Sequence, residues 1–300
     1  MTSADVPAAS RTAFIGLGNM GSRMARRLAE AGYQVRGWDL DAVARAALKE
    51  HGGAEAESAA DAVTGTDITI LMLPDSGVVE QVLTDAAVLA ALARGAVVVD
   101  MSSSEPERTR SMERALAGRG VRMVDAPVSG GVQRAESGQL AIMAGGDRAD
   151  LGRVEPVLAV LGHVYHAGPI GAGHAVKALN NLMSATHLLV TSEAILAGQR
   201  FGLDTEVMLA IFNASSGRSG STENKWPNFI VPEAYNSGFG LGLMLKDMRI
   251  ATRLAEQMGS PAALGACAEQ LWSEAAGELP AGADHTEIAS WLRNRVTESD

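Results

Sequence analysis

The chain has 300 residues, 47% of them hydrophobic and 20% charged, with a formal net charge of -10. That is the composition of an ordinary globular protein long enough for two domains with sizeable cores. The negative balance argues against nucleic acid or an anionic membrane surface as partner, and no apolar run reaches the length of a membrane span.

Residues 1–11 lack the apolar core of a signal peptide and read as a loose leader. Thr12–Gly16 is predicted as a strand and Asn19–Ala31 as a helix, with the glycines of Gly16-Leu17-Gly18-Asn19-Met20-Gly21 spaced G-x-G-x-x-G between them. Between a strand and a helix that spacing means a dinucleotide site. Gly16 permits the tight turn, Gly18 lets the backbone approach a pyrophosphate, and Gly21 lets helix and strand pack closely. The helix N-terminus adds free N–H groups and a partial positive charge. A second strand, Gln34–Trp38, ends at Asp39, the spacing expected of a carboxylate that grips the adenosine ribose. A helix follows over Asp41–Glu50.

Ile68–Leu73 is an apolar run broken only by Thr69, as expected of a strand buried on both faces of a parallel sheet. Ala96–Asp100 and Val121–Asp125 repeat the signal, and Gln139–Ala144 and His163–His166 are weaker strands. Strands separated by helices over this length predict a doubly wound parallel sheet. After the turn cluster Gly168 to Gly173, a long helix runs from His174 to about Arg200 and is expected to join two domains. The remainder reads as helices only: Asp204–Ala214, Leu245–Met258, Pro261–Gly277 and Thr286–Val296. Asp284 with Glu287 forms an N-cap and capping-box pattern before the last of these. The expected fold is α/β, an N-terminal Rossmann doubly wound sheet followed by an all-α C-terminal domain joined by the long helix. The expected division is residues 1–172 for the dinucleotide and residues 173–300 for substrate and oligomerisation.

Lys177 falls on the first turns of the long helix, with Asn181 four residues later on the same face. Interconverting an alcohol and a carbonyl requires moving a hydroxyl proton as hydride moves at carbon. A lysine in a partly dry cleft, its pKa lowered by burial, can do this, with Asn181 donating to the same oxygen or orienting the ammonium. Ser129-Gly130-Gly131, after a strand, offers successive N–H groups and a hydroxyl to a carboxylate. Arg134 beyond it is as readily a surface residue. Asp39 would repel a 2′-phosphate and Leu40 offers it no charge, so both favour NAD over NADP. Ser216 to Arg218 and Glu223 to Lys225 read as a polar loop, with Arg218 and Lys225 as weaker specificity candidates. Cys267, the single cysteine, excludes an intrachain disulfide and a cysteine metal cluster. It points to a reducing, cytoplasmic setting and is expected to act as a small buried hydrophobe. His187 is expected in a core. The histidines show no metal-ligand spacing, no metal is expected, and the G-x-S-x-G elbow of hydrolases is absent.

Four segments in order resemble the β-hydroxyacid dehydrogenases, from about Thr12 to Leu292. They are Phe14 to Gly21, Met72-Leu73-Pro74, Asp125 to Gly131, and Gly171-x-Gly173-x-x-x-Lys177-x-x-Asn180-Asn181. The resemblance implies an NAD-dependent oxidoreductase acting on a small anionic 3-hydroxy carboxylic acid or semialdehyde, with 3-hydroxyisobutyrate as the nearest template. Tartronate, sulfonated or longer semialdehydes remain alternatives. Imine reduction and a non-catalytic nucleotide-binding role are less favoured, because Lys177, Asn181 and Ser129 are intact. It implies Lys177 and Asn181 as catalytic residues. It places Ser129, Gly130, Gly131, Phe239 and Asp247 at the substrate. It places Gly16, Gly18, Asn19, Met20, Gly21, Asp39, Leu73, Pro74, Ser103 and Lys246 at the cofactor. Ser103 stands where relatives commonly have threonine. A homodimer or homotetramer is implied, with the Phe239 segment often reaching the cleft of a partner subunit.

Overall fold

The computed structural model describes residues 11–297. All but Arg11 of the expected leader lies outside the described residues. Two compact units meet at a boundary between Lys177 and Ala178.

The first unit alternates strands and helices. In order they are β1 (Arg11–Ile15), α1 (Gly21–Glu30), β2 (Gln34–Trp38), α2 (Ala42–Glu50), β3 (Ala54–Glu55), α3 (Ala59–Val63), β4 (Ile68–Leu71), α4 (Ser76–Thr84), α5 (Ala86–Ala91), β5 (Val97–Asp100) and α6 (Pro106–Ala117). Then come β6 (Arg122–Asp125), β7 (Val128–Ser129), α7 (Gly131–Ser137), β8 (Leu140–Gly145), α8 (Arg148–Leu161), β9 (Gly162–Gly168) and α9 (Ala172–Phe201), the helix in which the chain leaves this unit. The strands form one sheet in the order β3-β2-β1-β4-β5-β6-β8-β7, with β9 also paired to β8. The first six are mutually parallel, and β6 and β7 both run antiparallel to β8. This is the doubly wound order, with a switch point where the chain leaves β1 for β2 on one side and reaches β4 on the other. In β5 every residue is buried. Val97 and Val99 enter one core and Val98 the other, because successive side chains alternate between faces covered by helices on both sides.

The second unit is helical: the rest of α9, α10 (Thr205–Asn213), a π-helical segment Ser221–Ile230, α11 (Leu241–Gln257), α12 (Ala263–Glu278), a 3₁₀ turn His285–Glu287 and α13 (Ile288–Thr297). Its core gathers Leu188, Ile195, Met208, Trp226, Met248, Trp272 and Trp291. Asp284 accepts from Thr286 N at 2.9 Å while Glu287 accepts from Asp284 N at 2.9 Å, the capping box expected at the last helix.

Three local expectations are corrected. The polar stretch through Lys225 is not wholly loop: from Ser221 it winds as a π-helix, because Trp226 and Ile230 are buried in the helical core. Cys267 is exposed, since α12 turns Ala268, Trp272 and Ala275 inward and leaves position 267 off that face. His187 is exposed too, beside the buried Leu188 and Leu189. Among the described residues no helix is long and apolar enough to cross a membrane.

Candidate active site

The switch point of the first unit is built by the loops after β1, β4 and β5. Gly16 has φ +96°, a left-handed conformation that favours glycine, and a Cβ there would lie 2.3 Å from the Met72 carbonyl oxygen. A Cβ on Gly21 would lie 1.9 Å from Gly16 O, so α1 starts flush against the turn. At Gly18 a Cβ would meet nothing within 4 Å. The two outer glycines are demanded by the protein's own packing. The middle one keeps the backbone bare toward open space, with exposed Asn19 and half-buried Met20 following. That is the cradle a pyrophosphate needs at a helix N-terminus, and these loops fit a nicotinamide dinucleotide.

Asp39 directly follows β2 and is half-buried. Its Oδ2 accepts from Leu17 N at 2.6 Å and its Oδ1 from Asp41 N at 2.9 Å, so the carboxylate is locked beside the glycine turn. Leu40 is 91% exposed. The guanidinium nearby, on Arg45, donates to the Asp39 carbonyl at 2.8 Å, stacks over Trp38 at 4.7 Å and pairs with Glu55 at 3.2 Å. Glu55 also pairs with Lys49 at 2.5 Å, and hydrogen bonds from Lys49 and then Arg45 hold its carboxyl below the usual range. On the other side of the crevice, Leu73 N donates to Ser102 Oγ at 2.9 Å. The buried Ser102 thereby ties the loop of Leu73 and Pro74 to the loop of half-buried Ser103.

Asp125 and His174, which carry no role in the sequence reading, organise the rest of this unit's site. Asp125 ends β6 and is fully buried; its oxygens accept from Gly171 N at 2.7 Å and His174 N at 2.8 Å. A carboxylate from the sheet thus caps the start of α9, where donors lack intrahelical partners. A Cβ on Gly173 would lie 2.1 Å from Met143 O, so the helix enters tightly against β8. The buried His174 ring lies 2.8 Å from Thr109 Oγ1 through Nδ1 and donates from Nε2 to the Ser102 carbonyl at 3.1 Å. One turn of α9 is therefore registered against α6, the Ser102–Ser103 loop and the strand that leads to Ser129. Lys177, one turn further, is buried at 8% exposure. Beyond β6, Ser129 is half-buried at the end of β7 and Gly130 has φ +134°. Gly131 then begins a seven-residue helix rather than a plain turn, and Arg134 on it is exposed.

In the second unit Asn181 and Asp247 are both buried, and Asn181 Nδ2 donates to Asp247 Oδ2 at 2.6 Å. Asn180 donates to Asn181 Oδ1 at 3.2 Å, which fixes the direction of the amide. Lys246 Nζ lies 3.3 Å from the other Asp247 oxygen. Phe239 is half-buried and edge-on to His285, with ring centroids 5.7 Å apart. The structure thus joins the expected residues in groups: glycine turn with Asp39 and Leu73, Leu73 with the Ser103 loop, and Asn181 with Asp247 and Lys246. Lys225 in the π-helical segment donates to Ser184 Oγ at 2.8 Å and Ser184 O at 3.4 Å, and burial pushes its ammonium down to about 8.

The family models agree with this construction. Residues 11–171 match the NAD binding domain of 6-phosphogluconate dehydrogenase, and residues 171–292 match the NAD-binding domain of NADP-dependent 3-hydroxyisobutyrate dehydrogenase. A 2-(hydroxymethyl)glutarate dehydrogenase of Eubacterium barkeri is 39% identical over 86% of this chain and 87% of its own. An NAD-dependent L-serine dehydrogenase of Pseudomonas aeruginosa is 39% identical over 87% and 90%. The solved 3-hydroxyisobutyrate dehydrogenase of Mycobacterium tuberculosis with L-serine superposes with TM-score 0.88 at 33% identity, over 95% of this chain and 99% of that one. The chain belongs to the β-hydroxyacid dehydrogenase family, as a nicotinamide-dinucleotide-dependent oxidoreductase of the 3-hydroxyisobutyrate dehydrogenase type.

Proposed function

We propose that the protein interconverts a small 3-hydroxy carboxylic acid and its semialdehyde, preferring NAD to NADP, with 3-hydroxyisobutyrate as the template substrate. The observation that carries the reading is Lys177, a buried lysine at the start of α9 with Asn181 one turn later and held by Asp247. Bound nicotinamide dinucleotide supplies the hydride acceptor. Lys177 takes the hydroxyl proton on oxidation and returns it on reduction. The second amide proton of Asn181 is available to the same oxygen, since Asp247 holds the first. Ser129, Gly130 and Gly131 bind the carboxylate through a hydroxyl and N–H donors.

Gly16, Gly18, Asn19, Met20 and Gly21 would hold the pyrophosphate, Asp39 the ribose, and Leu73, Pro74, Ser103 and Lys246 the rest of the cofactor. Asp39 supports NAD because it would repel a 2′-phosphate while Leu40 gives that phosphate no partner. The guanidinium of Arg45 beside those two residues is already engaged by Glu55 and by the Asp39 carbonyl. Residues 1–172 serve the dinucleotide, and residues 173–300 serve substrate and assembly. The protein works in the cytoplasm as a homodimer or homotetramer. Exposed Leu179, Met183 and Val190 on α9, with Val207 and Ile211 on α10, are apolar surface that a second copy would cover. In that assembly Phe239 contributes to the substrate site.

The test is turnover on 3-hydroxyisobutyrate, L-serine, 2-(hydroxymethyl)glutarate and tartronate semialdehyde, with NAD(H) and NADP(H) in parallel. The reading expects a 3-hydroxy acid with NAD to give the highest kcat/KM. Turnover of none of these would overturn it.

A further inference from the structure

Lys225 has no part in the chemistry above, yet its surroundings are those of a binding group. Lys225 is half-buried beside the fully buried Trp226, and the hydrogen-bond acceptors of its ammonium are the two uncharged oxygens of Ser184. Asp284 acts on it only from beyond ion-pair distance, and that carboxylate already accepts from Ser237, Gly238 and Thr286. A lysine charge partly withdrawn from water, with no carboxylate in ion-pair distance among the described residues, is an unfavourable arrangement in a resting protein. It becomes favourable when a ligand brings the missing anion. The depressed ammonium agrees with a site that awaits one.

Its place on the helix says which ligand. Asn181 and Ser184 are three residues apart on α9, and so on one face, about 4.5 Å along the axis. Ser184 holds the Lys225 ammonium, and Asn181 is the residue assigned to the reacting oxygen. The segment that carries Lys225 is π-helical, with Val231 N bonded to Trp226 O at 2.8 Å, five residues back. Such irregular turns are kept where a side chain must be aimed, at a cost to regular hydrogen bonding.

Resting on the proposed 3-hydroxy acid activity, we propose that Lys225 recognises a second carboxylate on the substrate. The preferred substrate class is then 3-hydroxy dicarboxylates, with the hydroxyl at Asn181 and the second carboxylate at the Lys225 ammonium, both in the helical unit.

The experiment compares 3-hydroxyisobutyrate, 2-(hydroxymethyl)glutarate and the 5-amide of the latter, which keeps the size and removes the charge. Wild type, Lys225→Met and Lys225→Arg are assayed with NAD. The proposal expects the diacid to exceed its amide by about 10- to 100-fold in kcat/KM, the effect on KM, because a charge-assisted bond is lost. Lys225→Met should bring that ratio close to one, and Lys225→Arg should restore part of it. A diacid-to-amide ratio near one in wild type overturns the proposal, even if the Met variant does not fold. So does a Met variant that slows all three substrates equally, which marks Lys225 as a structural tie to Ser184. Wild type that oxidises 3-hydroxyisobutyrate without preferring the diacid defeats only the role of Lys225. Wild type inactive on all three defeats the proposed activity itself.

Discussion

At the scale of single residues, the proposed function rests most on Lys177 and Asp39. Lys177→Ala should lower kcat by about two to four orders of magnitude, the scale of a positioned acid–base group. Its affinity for NAD, read by fluorescence titration, should stay close to that of wild type, because the pyrophosphate turn lies elsewhere in the sequence. An active Lys177→Ala enzyme would remove this residue from the mechanism. Asp39→Asn combined with Leu40→Arg should shift preference toward NADP by removing a repulsion and adding a phosphate partner. The ratio of kcat/KM for the two cofactors measures this; a wild type that already prefers NADP contradicts the reading. These positions are visible in sequence because each belongs to a short local pattern. His174 is not, since its side-chain partners Thr109 and Ser102 are 65 and 72 residues away. Lys225 reads in sequence only as a weaker specificity candidate for a related reason: its charge is unusual only once Trp226 is known to be buried in the turn that carries it.

At the scale of elements, the start of α9 is the critical join, and Asp125 is its cap. Asp125→Ala leaves the buried amides of Gly171 and His174 without acceptors, which should cost about 2–5 kcal/mol. The urea midpoint should fall accordingly, with kcat falling more than KM rises, because Lys177 rides on the turn that loosens. Asp125→Asn, which keeps one acceptor oxygen, should recover part of both. An Asp125→Ala protein with unchanged midpoint and kcat would show that α9 needs no such cap. The central parallel strands were legible because β4 and β5 bury every residue and so read as apolar runs, with Thr69 and Asp100 as their polar members. The two-residue β3 and β7 leave no periodicity to read, and the five-residue α3 hardly more. The π-helical segment resembles a loop in sequence, being polar and containing Pro227, and only tertiary burial of Trp226 and Ile230 winds it.

At the scale of the molecule, the doubly wound sheet and the helical unit were foreseen from the spacing of strands, turns and amphipathic runs, as was the long helix in which the chain passes from one unit to the other. Assembly is less legible, because an apolar position reads alike whether it faces a core or a partner. The exposed Leu179, Met183, Val190, Val207 and Ile211 are such positions. Sedimentation at micromolar concentration should show a dimer or tetramer. Charged substitutions at Met183 and Ile211 should weaken it, while an active monomer would contradict the proposed assembly.

The central claim is that the site is built for the carboxylate of a hydroxy acid as well as for its alcohol. The Ser129, Gly130 and Gly131 donors would be left unpaired by an alcohol of the same size without the acid group. The most direct measurement is NADH formation from 3-hydroxyisobutyrate beside 2-methyl-1-propanol at matched concentrations. The account predicts that kcat/KM for the alcohol is lower by orders of magnitude, as for any site built to bond a group that is absent. Comparable rates on the two would contradict it, reducing the Ser129 segment to a structural turn and the enzyme to a general alcohol dehydrogenase.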